Sequence, residues 1–366
     1  MKNTFCQSLS LTLFGESHGE KIGAVLDGLA PGIDIDESFI AFRLSLRRPA
    51  GRISTSRREE DAFSIVSGVR DGKTTGTPLT LLIENRDTRS KDYEKTRSLA
   101  RPGHADYTAF CKYHGFEDYR GGGHFSGRLT APLVAAGAIL LSALAGRGIT
   151  IGTHIKRCGG VSDRDFGDLA SDLAQLNRSE FAVLDEAAGE EMKNAVRAAA
   201  REGDSVGGLL ESAITGMPAG VGEPWFDGFE GVLSHALFSI PAVKGVEFGD
   251  GFALAESRGS LANDPFRTEA GKIITATNHN GGINGGITNG MPILFRVAVK
   301  PTPSIYREQD TVDFFTNEEK KLLINGRHDP AIVHRARAVV DSVAALAAAD
   351  MLALRYGTDW LGGEAL

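Results

Sequence analysis

The chain has 366 residues, 42% of them hydrophobic and 24% charged, with a formal net charge of −7. That length suits one large core or two, the composition is ordinary for a globular protein, and the acidity argues against a nucleic-acid polymer as partner. Three cysteines, Cys6, Cys111 and Cys158, lack metal-ligand spacing and fit structural thiols in a reducing cytosol.

Ser8–Phe14 alternates as a strand and Ile22–Leu26 reads as its hairpin partner. The turn between them, GESHG, presents Ser17 and His18 between two glycines. Leu9–Phe14 is too short an apolar run for a secretory signal. Asp34 and Asp36 open a helix that must stop near Pro49. Residues Ser38–Arg58 hold six arginines and no acidic residue, an excess of +6 in 21 positions. Arg47 and Arg48 would complement the helix dipole there. Arg52, Arg57 and Arg58 lie beyond it, and the whole cluster suits a small, multiply charged anion.

Phe63–Val69 and Pro78–Glu84 are expected strands, and the polar segment Asn85–Leu99 is an expected loop. Arg101–Arg128 packs three Arg, three His and six Gly into 28 residues. A Gly run brings backbone N–H groups close to a ligand, arginines fork onto phosphate or carboxylate oxygens, and histidines move protons near neutral pH. A solvated Gly-rich loop is the plain alternative. The helix predicted at about Thr130–Gly146 is apolar nearly all round, so it belongs in the middle of the protein. Its apolar stretch, Ala131–Gly146, is too short to cross a bilayer. A cytoplasmic location with no membrane partner is therefore expected.

Helices are expected at Leu169–Leu176, Glu190–Glu202 and Phe229–Ile240, and strands at Gly207–Gly216, Val243–Phe248 and Met291–Lys300. Phe252–Thr275 reads as an irregular loop over a site. The glycine pairs of Asn278–Gly290 imply positive φ or backbone pressed on a flat ligand. Pro301 and Pro303 fix extended chain beside Lys300, and the turn at 325–330 gathers Arg327, His328 and Asp329. Ala331–Tyr356 is a long Ala-rich helix. Strands joined by turns, without regular helical crossovers or a linker, favour one α+β domain over residues 1–366 with layered sheets. No P-loop, no strand–GxGxxG–helix unit and no metal-ligand spacing is present, so no metal is expected. Guanidiniums, glycine-flanked histidines and Asp329 suit proton transfer and phosphate departure from an organic phosphate.

GESHG at 15–19, RPGHADY at 101–107, DYRGGGHFSGR at 118–128, AVKGVEFGDGF at 242–252, NHNGGINGGITNG at 278–290, KPTPSI at 300–305 and GRHDP at 326–330 resemble the chorismate synthase family, in order and over nearly the whole chain. The resemblance implies a layered β-α-β sandwich of antiparallel sheets around central helices, usually a homotetramer. It implies conversion of 5-enolpyruvylshikimate 3-phosphate to chorismate and phosphate, the last step of the shikimate pathway toward aromatic amino acids. This is a 1,4-anti elimination that needs reduced FMN (FMNH2) without net redox change. His18 and His104 match the catalytic histidines, His18 near the substrate phosphate and His104 near flavin N1. Asp329 matches the acid thought to act at flavin N5. His124, Phe125, Ser126, Pro241, Ala242, Gly285, Lys300, Pro301, Thr302, Pro303, Ser304 and Arg327 match flavin-contact positions. Arg47 and Arg52 match positions linked to NADPH or substrate, and Arg101, Arg128 and Ser17 are expected at the substrate. The common family loop GGGRSSARET reads GGGHFSGRLT here, and SINAVKG reads SIPAVKG. NADPH as reductant and a separate flavin reductase are further expectations. A flavin reductase activity and a non-catalytic anion or RNA binder are the alternatives.

Overall fold

The computed structural model describes residues 2–49, 53–54, 60–86, 94, 96–324 and 328–362. Arg52, Arg57, Arg58 and Arg327 lie outside the described residues. Ser10–Gly15 pairs antiparallel with Lys21–Asp27, placing Leu13 opposite Ala24. Lys21–Asp27 pairs in turn with Leu79–Glu84, and that strand with Phe63–Ser67. With Thr4–Phe5 at the other edge this forms a five-stranded sheet. Leu79, Leu81 and Ile83 point inward from alternate positions. The second five-stranded sheet runs in the order Val243–Phe248, Ile293–Val299, Gly208–Thr215, Thr150–Cys158, Val161–Ser162, again antiparallel throughout. Its Ile293, Phe295, Val297 and Val299 face the core.

Eight helices accompany these sheets among the described residues: α1 (Glu37–Arg47), α2 (Asp106–Tyr113), α3 (Thr130–Ala145), α4 (Leu169–Leu176), α5 (Glu186–Arg201), α6 (Phe229–Phe238), α7 (Gly259–Ala262) and α8 (Val333–Tyr356). Helix α3 packs on the first sheet, α8 on the second, and the two helices on each other, with α1 and α6 completing the middle layer. Their crossing is close because Gly137 of α3 has no Cβ; one built there would sit 2.2 Å from Cβ of Ser342 on α8. One apolar cluster links both sheets with these helices. The architecture is the layered α+β fold expected from the turn-joined strands.

Gly127–Ala145, 19 residues, reaches membrane-crossing length and apolarity once the 3-10 turn before α3 is counted, but it is mostly buried inside the protein. Helix α5 begins a turn earlier than expected because Asp185 caps it, accepting from Ala187 N at 2.8 Å. The segment Phe252–Thr275 is more ordered than an irregular loop. It contains α7 and an antiparallel hairpin, Phe266–Glu269 with Lys272–Thr275. Arg43 is a structural pin, fully buried and donating to Asp341 of α8 at 2.5 Å. Asp341 also accepts from Thr153 at 2.6 Å, so one carboxylate ties α1, α8 and the second sheet together.

Candidate active site

A cavity of about 960 Å³ opens between the layers, walled by the glycine loop Arg120–Phe125, the loop around His104, the segment from Lys300, and the N-terminal end of α8. That volume is at the upper end for small-molecule and cofactor sites, roughly 300–1,000 Å³. The glycine loop is shaped by what lies behind it. Gly121, Gly122 and Gly123 hold φ of 60°, 81° and 53°. A Cβ on Gly121 would fall 2.1 Å from Cε1 of His18, and one on Gly123 would fall 2.0 Å from the Asp118 carbonyl oxygen. The loop therefore sits directly on the His18 ring. It is fastened to the GESHG turn by Ser17 N–H donating to the Gly123 carbonyl at 3.0 Å and by His124 Nδ1–H donating to the Gly15 carbonyl at 2.8 Å. Asn85 donates to the carbonyls of Glu16 and Gly19, holding the same turn from its other side.

Four arginines of the wall are matched by carboxylates. Asp61, 4% exposed, accepts from Arg47 at 2.8 Å and from Arg128. Burial alone would raise the Asp61 carboxyl, but the Coulombic pull and hydrogen bonds of Arg47 and Arg128 win and hold it below the usual carboxylate range. Arg128 also donates to Asn85 Oδ1 at 3.0 Å and to the Glu84 carbonyl at 3.2 Å. Arg101 grips Asp106 through two N–H groups, at 2.8 and 2.6 Å. Arg335 donates to Asp329 at 2.5 Å and, through Nε, to the Arg47 carbonyl at 2.7 Å. Lys300 Nζ donates to the Gly103 carbonyl at 2.6 Å.

His104 faces this cavity with its Nε2 bonded to Ser304 Oγ at 2.6 Å. Burial, then the nearby positive charges of Arg101 and Lys300, pull its pKa down to about 4, against a smaller opposing pull from Asp106. The imidazole is therefore neutral at pH 7. Burial likewise lowers His328, and His334 is pulled down to about 4 by burial and by Arg335.

The structure gathers most of the residues singled out from the sequence. His104, His124, Phe125, Ser126, Lys300 and Asp329 line the cavity, as do Arg47, Arg101, Arg128, Pro241, Ala242, Thr302 and Pro303. Ser304 stands behind His104, and Ser17 and His18 behind the glycine loop. Pro301 and Gly285 are not part of the wall. Gly285 lies in the Ile283–Asn284 and Ile287–Thr288 hairpin at φ 63°. Sequence reasoning missed Asp61, Asn85, Asp106 and Arg335. Arg335 had a signal: it is a cation in the first turn of a helix with no acid there, a placement the helix dipole disfavours unless a carboxylate is nearby.

A cavity of this size, walled by guanidiniums, imidazoles and carboxylates, suits a small anionic molecule. The chorismate synthase family model matches residues 9–353. The chorismate synthase of Thermococcus kodakarensis is 47% identical over 347 residues, covering 95% of this chain and 96% of that one. That of Dehalococcoides mccartyi is 45% identical over 360 residues, covering 98% of each. A solved structure described as "Crystal Structure of Chorismate Synthase" superposes with a TM-score of 0.76 at 30% identity, over 97% of this chain and 94% of that one. The chain belongs to the chorismate synthase family, which are phosphate-eliminating carbon–oxygen lyases.

Proposed function

We propose that this protein, working as one domain, converts 5-enolpyruvylshikimate 3-phosphate to chorismate and phosphate with reduced FMN as cofactor. The observation that carries the reading is one cavity uniting His104, Asp329, the glycine loop over His18, and the cations Arg47, Arg101, Arg128 and Lys300. The reaction breaks the C3–O bond to phosphate and the C6–H bond and forms one new ring double bond, so no electrons are gained or lost overall.

The wall suits a flavin mononucleotide. Thr302 Oγ1 is buried there without a hydrogen-bond partner among the described residues. Ser126, His124 and Lys300 add polar contacts, and Phe125, Pro241 and Ala242 add apolar surface for the ring. When bound in reduced form, FMN supplies electron density to the substrate reversibly.

The protein's own groups do the rest. Guanidiniums and Lys300 hold phosphate and carboxylate oxygens through charge-assisted bonds, each contributing about 1.5–3 kcal/mol. Burial first, then Arg101 and Lys300, keep His104 neutral; a polyanion beside the two cations offsets their part, so binding raises its affinity for a proton and readies it as an acid. His18 assists phosphate departure beneath the glycine loop. Asp329, held by Arg335, receives the proton that originates at C6. Homotetramer assembly, a cytoplasmic location, and NADPH or a separate flavin reductase as the source of reducing power belong to the same proposal. So do roles in flavin or substrate binding for Ser17, Arg52, Gly285, Pro301 and Arg327, and for Ser304 through His104.

The test is an anaerobic assay with the substrate, dithionite-reduced FMN and no NADPH. Phosphate and chorismate formed together in equal amounts are expected. No release, with or without NADPH, would overturn the proposal.

A further inference from the structure

The segment Lys300–Ser304 makes three contacts with the loop that carries His104. Lys300 Nζ donates to the Gly103 carbonyl at 2.6 Å. Pro303 packs against Gly103 so closely that a Cβ on the glycine would lie 2.9 Å from the proline's. Ser304 Oγ meets His104 Nε2 at 2.6 Å. Two prolines stiffen this strap, and Gly103, at φ 74°, lets the loop lie flat on it.

Ser304 is 7% exposed, and among the described residues its hydroxyl has a single hydrogen-bond partner, His104 Nε2. If Nε2 carried the proton, it would donate to Ser304, and the serine O–H would need an acceptor of its own. None is present among the described residues. If Ser304 donates to Nε2, both groups are satisfied, and the imidazole proton must reside on Nδ1. His104 Nδ1 has no protein partner among the described residues, and the ring lines the cavity. We infer that Ser304 is a positioning residue that fixes His104 in the Nδ1–H tautomer, so that the ring nitrogen not bonded to Ser304 is a hydrogen-bond donor. This rests on the proposed lyase reaction for its consequence in catalysis, but the tautomer stands independently of it.

The experiment uses the full-length enzyme labelled with 15N-histidine. Long-range 1H–15N correlation spectra are recorded at pH 7.5 without flavin, with His104 assigned from a His104→Gln variant. The wild type is expected to show His104 with a protonated Nδ1 and a bare Nε2. Ser304→Ala is expected to lose that preference, and Ser304→Thr, which keeps the hydroxyl, to retain it. In parallel, anaerobic turnover of Ser304→Ala should show kcat reduced roughly 10–100-fold with KM changed less than about 3-fold, and Ser304→Thr should recover most of it. A wild-type His104 protonated on Nε2, or a Ser304→Ala spectrum identical to wild type, would overturn the inference. A wild type without turnover but with the expected tautomer would instead overturn the lyase reading and leave the role of Ser304 intact.

Discussion

Removing the carboxylate charge of Asp61 while keeping its shape, as Asp61→Asn does, takes away the counter-ion that Arg47 and Arg128 share. All three side chains are nearly inaccessible to water, at 6%, 3% and 0% for Arg47, Arg128 and Asp61. Deleting one partner of a buried ion pair typically costs about 3–5 kcal/mol, because an uncompensated charge stays behind. Unfolding entropy near 2.1 cal/mol/K per residue over 366 residues gives roughly 0.8 kcal/mol per degree, so the melting temperature should fall by ~4–6 °C. The pH dependence follows from the direction of the shift. The folded-state pKa of Asp61 is lowered, so its stabilisation is fully present above the unfolded value near 3.9 and is lost as the pH falls through the lower folded value. The gap between wild type and Asp61→Asn should therefore be constant from about pH 5 to 8 and close in stronger acid. Thermal melts by circular dichroism across that range provide the check. Added inorganic phosphate should recover part of the loss, since the two guanidiniums, both at the cavity wall, then lack their shared carboxylate and can take up an anion. A variant melting within ~1 °C of wild type at pH 7.5 would refute the assignment of Asp61 as counter-ion to the arginine cluster.

Other outcomes follow from the same geometry. His104, at about 4 in the folded protein against ~6.5 unfolded, contributes stability above pH ~6.5 that is lost as the pH falls through about 4; His104→Gln should remove its share of that acid slope, roughly 2–3 kcal/mol, in melts between pH 4 and 7. Gly121→Ala should lose at least ~10²-fold in turnover, because the new Cβ displaces the His18 ring and φ 60° is strained for alanine, and rapid-mixing phosphate release would register it. His18→Ala should lose ~10²–10⁴-fold in the same assay, and unchanged turnover would return it to a turn residue.

Much of this was readable from residue order. Alternation in Ser8–Phe14 and Ile22–Leu26 announced the hairpin, Asp36 capped the helix it was expected to open, and Leu169–Leu176 and Val243–Phe248 appear with the expected bounds. These are local signals, set by period and caps. Counter-ions were not readable, because they depend on chain separation. Asp61 lies just beyond the arginine run but acquires its meaning from Arg128, 67 residues further on. The run looked like undivided positive charge, while the folded protein neutralises part of it internally. Phe252–Thr275 was misjudged because its hairpin residues, Phe266 and Ile273 among them, remain largely exposed, so no buried alternation marked them as strands.

Helix α8 also acts as a lever. At 1.5 Å per residue its 24 residues make a rod of about 36 Å. The crossing at Gly137 and Ser342 is its fulcrum, and Arg335, which grips Asp329, lies seven residues away, or roughly 10 Å. A tilt of about 5° at that fulcrum carries Arg335 by nearly 1 Å, a displacement that can cost ~10²-fold in rate when it reaches a reacting group. Bulk added at Gly137, which is not part of the cavity wall, would therefore register at the Asp329 end of the cavity. The smallness of that one residue serves the alignment of the chemistry as much as the density of the core.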